Sequence, residues 1–108
     1  MGASDSTTPW VECITRFAGD HPTQPGHFPD YPLIPGAVLL EEILSAIRQS
    51  EPLSYPLEVI QVKFMQPVRP DHSVTIRWCA QALDQFKFEL YLHGTPTPAV
   101  AGTLRSRP

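Results

Sequence analysis

The sequence has few basic residues and no long apolar segment. Lysine and arginine make up 8 of its 108 residues, they form no cluster, and the formal net charge is −3, which argues against nucleic acid as a partner. The longest apolar run, Leu33–Leu40, is broken by Pro35 and Gly36 and is far too short to span a bilayer. Met1–Pro9 is polar and has no signal-peptide pattern. We therefore expect a cytoplasmic protein without membrane contacts.

Cysteine is also scarce, which limits the chemistry available to the chain. Cys13 and Cys79 have no metal-type spacing, and we expect two free, buried thiols in a reducing compartment. No Gly-x-Ser-x-Gly surrounds Ser45, so a serine hydrolase is not indicated. The chain is 42% hydrophobic and 18% charged, which is typical of a globular protein. Its length predicts one domain over residues 1–108, with residues 1–8 flexible.

Period-2 alternation and proline breaks predict five strands around one helix. The expected strands are Trp10–Phe17, Glu58–Gln66, Ser73–Ala82, Phe86–His93 and Ala99–Arg105. Good helix formers after Pro35 predict a helix over residues 36–49. Short turn-like segments separate the last three strands, which should form an antiparallel meander. The pattern predicts an α+β fold in which an antiparallel sheet wraps around one central helix.

The predicted helix has two faces. Its apolar arc should pack on the sheet and comprises Ala37, Leu39, Leu40, Ile43, Leu44, Ala46 and Ile47. The opposite arc must meet water or a second subunit and carries Glu41, Glu42, Ser45, Arg48 and Gln49, with Val38 among them. In the strand that follows, alternation predicts Ile60, Val62 and Phe64 on one face.

Residues 19–35 form a proline-rich loop with features of an acid–base site. Three prolines and two glycines within Gly26–Gly36 fix most of the local φ angles, so the loop can hold His27 in one place. Imidazole is well suited to move protons near neutral pH. Glu41 lies fourteen residues later, just inside the predicted helix. From the residues alone, a structural loop histidine and a solvated helix glutamate remain the alternatives.

Several short stretches resemble the signature of the β-hydroxyacyl-acyl-carrier-protein dehydratases. They are Gly26–Pro29, Pro32, Ile34–Gly36 and Leu39–Glu41. Lys63–Asp71 is similar to a strand ending of the same family, and the whole resemblance extends over roughly residues 10 to 105. It is closest to the small dehydratase-like proteins of aryl-polyene or hydroxymyristoyl-type pathways. Asp30 stands where the housekeeping enzymes usually have glycine, which leaves loop geometry and substrate class open.

The resemblance implies a hotdog fold and a lyase of lipid or fatty acid biosynthesis. Such enzymes remove water from a (3R)-3-hydroxyacyl thioester, on acyl carrier protein or coenzyme A, and give a trans-2-enoyl thioester. It implies His27 as the base and Glu41 as the acid, brought together from two subunits of a homodimer. Gly36 is our candidate for donating its N–H to the thioester oxygen, because glycine allows close approach and a helix N-terminus favours negative charge. A simple tight turn is the alternative for Gly36, and the reaction requires no metal or other cofactor.

Other residues compete for these roles. Glu42 is an alternative acid, although it points about 100° away from Glu41 on a helix. His21 could contact the site or be a solvent-facing turn residue. A metal site built from Asp20, His21, His27 and Asp30 is conceivable, but its spacing matches no zinc pattern.

Three other functions also fit the pattern. A hotdog thioesterase would use the helix carboxylate to direct water at the thioester, and a non-catalytic subunit would only bind acyl chains. A double-bond isomerase activity after dehydration is the third. An acidic carrier protein would dock on basic side chains, for which Arg48, Arg69 and Arg77 are available.

Overall fold

A computed structural model describes residues 10–17, 33–81 and 84–106. These ranges contain one helix and five strands, each within two residues of its predicted bounds. In chain order they are β1 (Val11–Arg16), α1 (Gly36–Ser50), β2 (Leu57–Phe64), β3 (Ser73–Ala80), β4 (Gln85–Leu92) and β5 (Val100–Ser106). Within the described ranges, no helix has the length and apolar character needed to cross a membrane.

The strands form one antiparallel sheet in the order β1-β3-β4-β5-β2. The predicted meander of β3, β4 and β5 is confirmed by their pairing. β1 and β2, which precede and follow the helix in the chain, are the two edges of this sheet. Among the described strands, each edge therefore leaves one row of backbone groups without a sheet partner.

The core lies between α1 and one face of the sheet. Leu39, Ile43 and Ile47 recur every four residues along one stripe of the helix and are buried. The sheet contributes Val74, Ile76, Trp78, Phe86, Phe88, Leu90, Val100 and Leu104. The predicted apolar arc is wrong at Ala37, which is exposed because it lies about 120° from the centre of the buried stripe.

Both ends of α1 have a clear cause. Pro35 precedes the helix with φ −59° and ψ 148°, and its carbonyl accepts hydrogen bonds from the N–H groups of Val38 and Leu39. At the other end, Glu51 is extended, and Pro52 prevents the helix from continuing. The Glu51 carboxylate accepts a hydrogen bond of 2.9 Å from the indole N–H of Trp78, which ties the end of α1 to β3.

The face predicted for β2 is wrong in its first half because the strand contains a bulge. The pairing register with β5 shifts between Val59 and Gln61, and a bulge reverses which face successive side chains occupy. Leu57 and Val59 therefore pack on the core before the bulge and Val62 after it, whereas Ile60 is 45% exposed.

The two cysteines are free, as predicted. Cys79 is buried, but the prediction of burial is only partly right for Cys13, which is partly exposed. Cys13 pairs with buried Ile76, whereas Cys79 pairs with exposed Lys87. The two thiols therefore lie on opposite faces of the sheet.

Gly102 on β5 permits the close approach that accompanies the bulge. A Cβ at this position would overlap the backbone carbonyl oxygen of Gln61 and would lie 2.7 Å from Cζ of Phe88. We expect Gly102→Ala to lower the free energy of unfolding by about 1–3 kcal/mol through overpacking. Chemical denaturation measures this loss, with Thr103→Ala on the outer face as the control. An unchanged midpoint for Gly102→Ala would contradict the close contact.

Candidate active site

A cleft of about 350 Å³ lies where the N-terminus of α1 meets the end of β2. It is lined by Leu33, Ile34, Gly36, Leu39, Phe64, Met65, Gln66, Pro67 and Val68. The Ile34 N–H donates a 2.8 Å hydrogen bond to the Val68 carbonyl and joins the two walls. Leu33 is 37% exposed, and Phe64 and Met65 are each 49% exposed. The cleft thus presents an open apolar surface suited to an acyl chain rather than to a polar ligand.

The helix N-terminus at the cleft has no compensating group from the described chain. The first N–H groups of any helix have no acceptor within it, and no described residue accepts a hydrogen bond from those of Gly36 and Ala37. Pro35 provides no side-chain cap, and the first turn has no acidic residue. An oxygen atom that gains negative charge can therefore be stabilised at Gly36.

Gly36 is also in close contact with the aromatic ring of Phe64. A Cβ on Gly36 would lie 3.0 Å from Cζ and 3.1 Å from Cε1 of that ring. Even an alanine at position 36 would press against the ring. The close approach of a thioester oxygen to Gly36 stays a prediction.

Glu41 does not line this cleft within one chain. It lies about 140° around α1 from Gly36, and its side chain is 73% exposed. Its carboxylate is 3.8 Å from the guanidinium of Arg48, which lies about two turns further along the helix. Glu42, the competing acid, is partly buried and is likewise absent from the cleft wall.

The predicted base lies outside the described residues, as do the competing loop residues. His27 and His21 both fall there, together with Asp20 and Asp30. The pairing of His27 with Glu41 therefore stays a prediction, and so does the alternative metal site. Among the residues that the structure does describe, no group of three or more His, Cys, Asp or Glu side chains could hold a metal ion.

Sequence reasoning named Gly36, but it missed the cleft residues Leu33, Met65 and Gln66. A signal for Met65 was present. Phe64 and Met65 are consecutive and apolar at the end of a strand, and successive side chains of a strand cannot both face the core. At least one of them had to be exposed.

A second, polar cluster covers the outer face of the sheet around Arg77. The Arg77 guanidinium lies 3.8 Å from the Glu12 carboxylate and 3.5 Å from that of Glu89, and its Cζ is 4.1 Å from the centre of the Trp10 ring. Tyr91 donates a 3.2 Å hydrogen bond to Glu89. Burial and the negative charge of Glu89 raise the pKa of Tyr91, so this phenol stays protonated. These groups interact across neighbouring strands, and none of them lines the cleft.

Comparison with known proteins identifies relatives of the chain. A family model described as ApeI-like, ApeI dehydratase, matches residues 3–101. The 3-hydroxyacyl-[acyl-carrier-protein] dehydratase FabZ of Histophilus somni is 26% identical over an alignment of 77 residues, which covers 63% of this chain and 51% of that protein. The chain thus spans about half the length of these relatives.

Two solved structures share the fold closely. An uncharacterized protein from Erwinia carotovora subsp. atroseptica has a TM-score of 0.79 and 22% identity, covering 94% of this chain and 85% of that one. The dehydratase heterocomplex ApeI:P from Xenorhabdus doucetiae has a TM-score of 0.73 and 19% identity, covering 91% and 88%. The predicted hotdog fold, an antiparallel sheet packed on one helix, is confirmed.

Proposed function

Because the chain belongs to the ApeI-like dehydratase family, we propose that it is a hydro-lyase acting on a (3R)-3-hydroxyacyl thioester of acyl carrier protein. The product is the trans-2-enoyl thioester, and water is released. The observation that carries this proposal is the apolar cleft that ends at the uncapped N-terminus of α1. An acyl chain fits the cleft, and the thioester carbonyl then reaches the Gly36 N–H.

Dehydration breaks two bonds and forms one double bond. His27 takes the proton from the carbon next to the thioester carbonyl, and negative charge develops on the carbonyl oxygen. The Gly36 N–H and the N-terminal end of α1 stabilise that charge. Glu41 donates a proton to the 3-hydroxyl group, which leaves as water while the carbon–carbon double bond forms. No metal or other cofactor takes part.

We assign Glu41 of each site to a second copy of the chain. Its position on α1, about 140° from Gly36, keeps it out of the cleft of its own protomer. The carboxylate is on the exposed face of the helix, where a partner can cover it. β2 is an edge strand with Ile60 exposed, and edge strands of this kind pair with other chains. A homodimer would therefore complete two sites.

We assign docking of the acidic carrier protein to a basic side chain next to the cleft. Arg69 follows the cleft residue Val68 and is exposed. Arg77 lies in the outer-face cluster with Glu12 and Glu89, and Arg48 lies beside Glu41. Of the three arginines considered from the sequence, Arg69 is the one that adjoins a cleft-lining residue in the chain, and it is our candidate for electrostatic docking.

The test is an assay of the purified protein on 3-hydroxyacyl thioesters of acyl carrier protein and of coenzyme A. We expect enoyl thioester absorbance to increase without release of free thiol, and the reverse hydration to occur with enoyl substrate. Thiol release without enoyl product would instead establish a thioesterase. Binding of acyl thioesters without turnover would identify a non-catalytic subunit, and product analysis would reveal any movement of the double bond.

A further inference from the structure

Phe64 occupies an unusual place for a large aromatic side chain. It is the last residue of the edge strand β2, and it is half exposed rather than part of the core. Its ring tip nevertheless lies against Gly36, with Cζ, Cε1 and Cε2 at 3.0, 3.1 and 3.5 Å from the position of a Cβ there. The ring therefore forms the wall of the cleft that faces the helix N-terminus.

This contact leaves no room for a second group between the ring and Gly36 on that side. An acyl chain that brings its carbonyl to the Gly36 N–H must pass beside the ring or displace it. A strand phenylalanine has two common χ1 positions, and half of this side chain is free of protein contact. The ring can therefore adjust to a narrow chain, but a chain widened near its carbonyl would collide with it.

We infer that Phe64 is the specificity-determining residue of the cleft, because its ring sets the width of the approach to the Gly36 amide. The favoured substrates are acyl thioesters that are unbranched near the 3-hydroxyl group. This inference rests on the proposed function. Phe64 acts on the shape of the passage and not on any proton transfer.

The experiment compares two 3-hydroxyacyl thioesters that differ by one methyl branch on the carbon beyond the hydroxyl-bearing carbon. The wild type should favour the linear substrate in kcat/KM. Phe64→Ala should reduce that preference about tenfold or more, the scale on which a pocket discriminates small changes in substrate size. The matched control is Tyr55→Ala, because Tyr55 is also an aromatic residue about half exposed, at 46%, but does not line the cleft. It should leave the preference unchanged.

Thermal unfolding and light scattering of each variant exclude an indirect effect through folding or assembly. If Phe64→Ala does not fold, Phe64→Leu should shift the preference in the same direction by a smaller factor. An unchanged preference in a folded Phe64 variant that still dehydrates the linear substrate overturns the inference and leaves the proposed function standing. If the wild type dehydrates no thioester, the proposed function fails. The inference about Phe64 is then tested by measuring the affinities of the wild type and of Phe64→Ala for linear and branched thioether analogues. If Phe64→Ala changes both affinities by the same factor, the inference is overturned.

Discussion

Replacing His27 with alanine is expected to lower kcat/KM for dehydration by about 10²- to 10⁴-fold, the usual contribution of a positioned acid or base. Glu41→Gln should cause a loss of the same order, because an amide cannot donate the proton that the leaving hydroxyl requires. Both variants should keep a wild-type free energy of unfolding. Glu41 is exposed and its ion pair with Arg48 is long, and such surface pairs contribute little to stability. Steady-state kinetics and chemical denaturation measure the two quantities.

The chain offers matched controls for these two variants. Glu42→Gln removes the neighbouring carboxylate from the same turn of α1, and His93→Ala removes an exposed imidazole at the end of β4. Neither residue lines the cleft, so both variants should retain wild-type turnover. Near-normal dehydration by His27→Ala or by Glu41→Gln would remove that residue from the catalytic mechanism. A severe loss in Glu42→Gln alone would transfer the role of acid to that neighbour.

The secondary structure could be predicted from the sequence because each signal is local. Alternation on β3 and β4 places Val74, Ile76 and Phe88 in the core, and Pro52 and Pro67 follow soon after the ends of α1 and β2. Such patterns need no knowledge of distant partners. The same local basis explains why the meander of β3, β4 and β5 was predicted correctly.

The bulge in β2 could not be located from β2 itself. Its own residues alternate acceptably and contain neither glycine nor proline. The cause lies about forty residues later, where Gly102 lets the Gln61 carbonyl approach. A lone glycine within a strand pattern indicates such a close approach, but only the pairing register shows which neighbouring strand makes it. Ile60 was consequently assigned to the wrong face.

The candidate site was predictable at Gly36 but not in the cleft around it. Gly36 was recognised because Pro35-Gly36 opens a helix, a local signal. The cleft beside it is lined by both Leu33 and Met65, which are thirty-two positions apart in the sequence, and periodicity does not reveal such a juxtaposition. The position of Glu41 around α1 is set by helix geometry, but the surface that it faces belongs to no described part of its own chain. In the proposed site, Glu41 therefore comes from a second copy of the chain, which no local pattern reveals.

Mixing the His27→Ala and Glu41→Gln proteins should restore activity that neither has alone. In a dimer with one chain of each kind, one site receives both replaced residues and the other receives an intact His27 and an intact Glu41. With free subunit exchange, about half of the dimers are mixed and each has one of its two sites intact, so about a quarter of wild-type activity should return. Against singly inactive parents, this is a gain of about 25- to 2,500-fold, given losses of about 10² to 10⁴ for a positioned acid or base.

The control mixture pairs His27→Ala with a chain that carries both replacements. No arrangement of these chains contains an intact His27, so no recovery is expected, and activity above that of the His27→Ala protein alone would indicate contamination. Native mass spectrometry establishes whether mixed dimers have formed. Mixed dimers without recovered activity would show that His27 and Glu41 do not come from different subunits, and a monomer by light scattering would exclude the shared site directly. Recovery near one quarter of wild-type activity indicates a site shared between subunits. If His27 and Glu41 of each site came from the same chain, every chain in the mixture would lack one of them and no site would be intact.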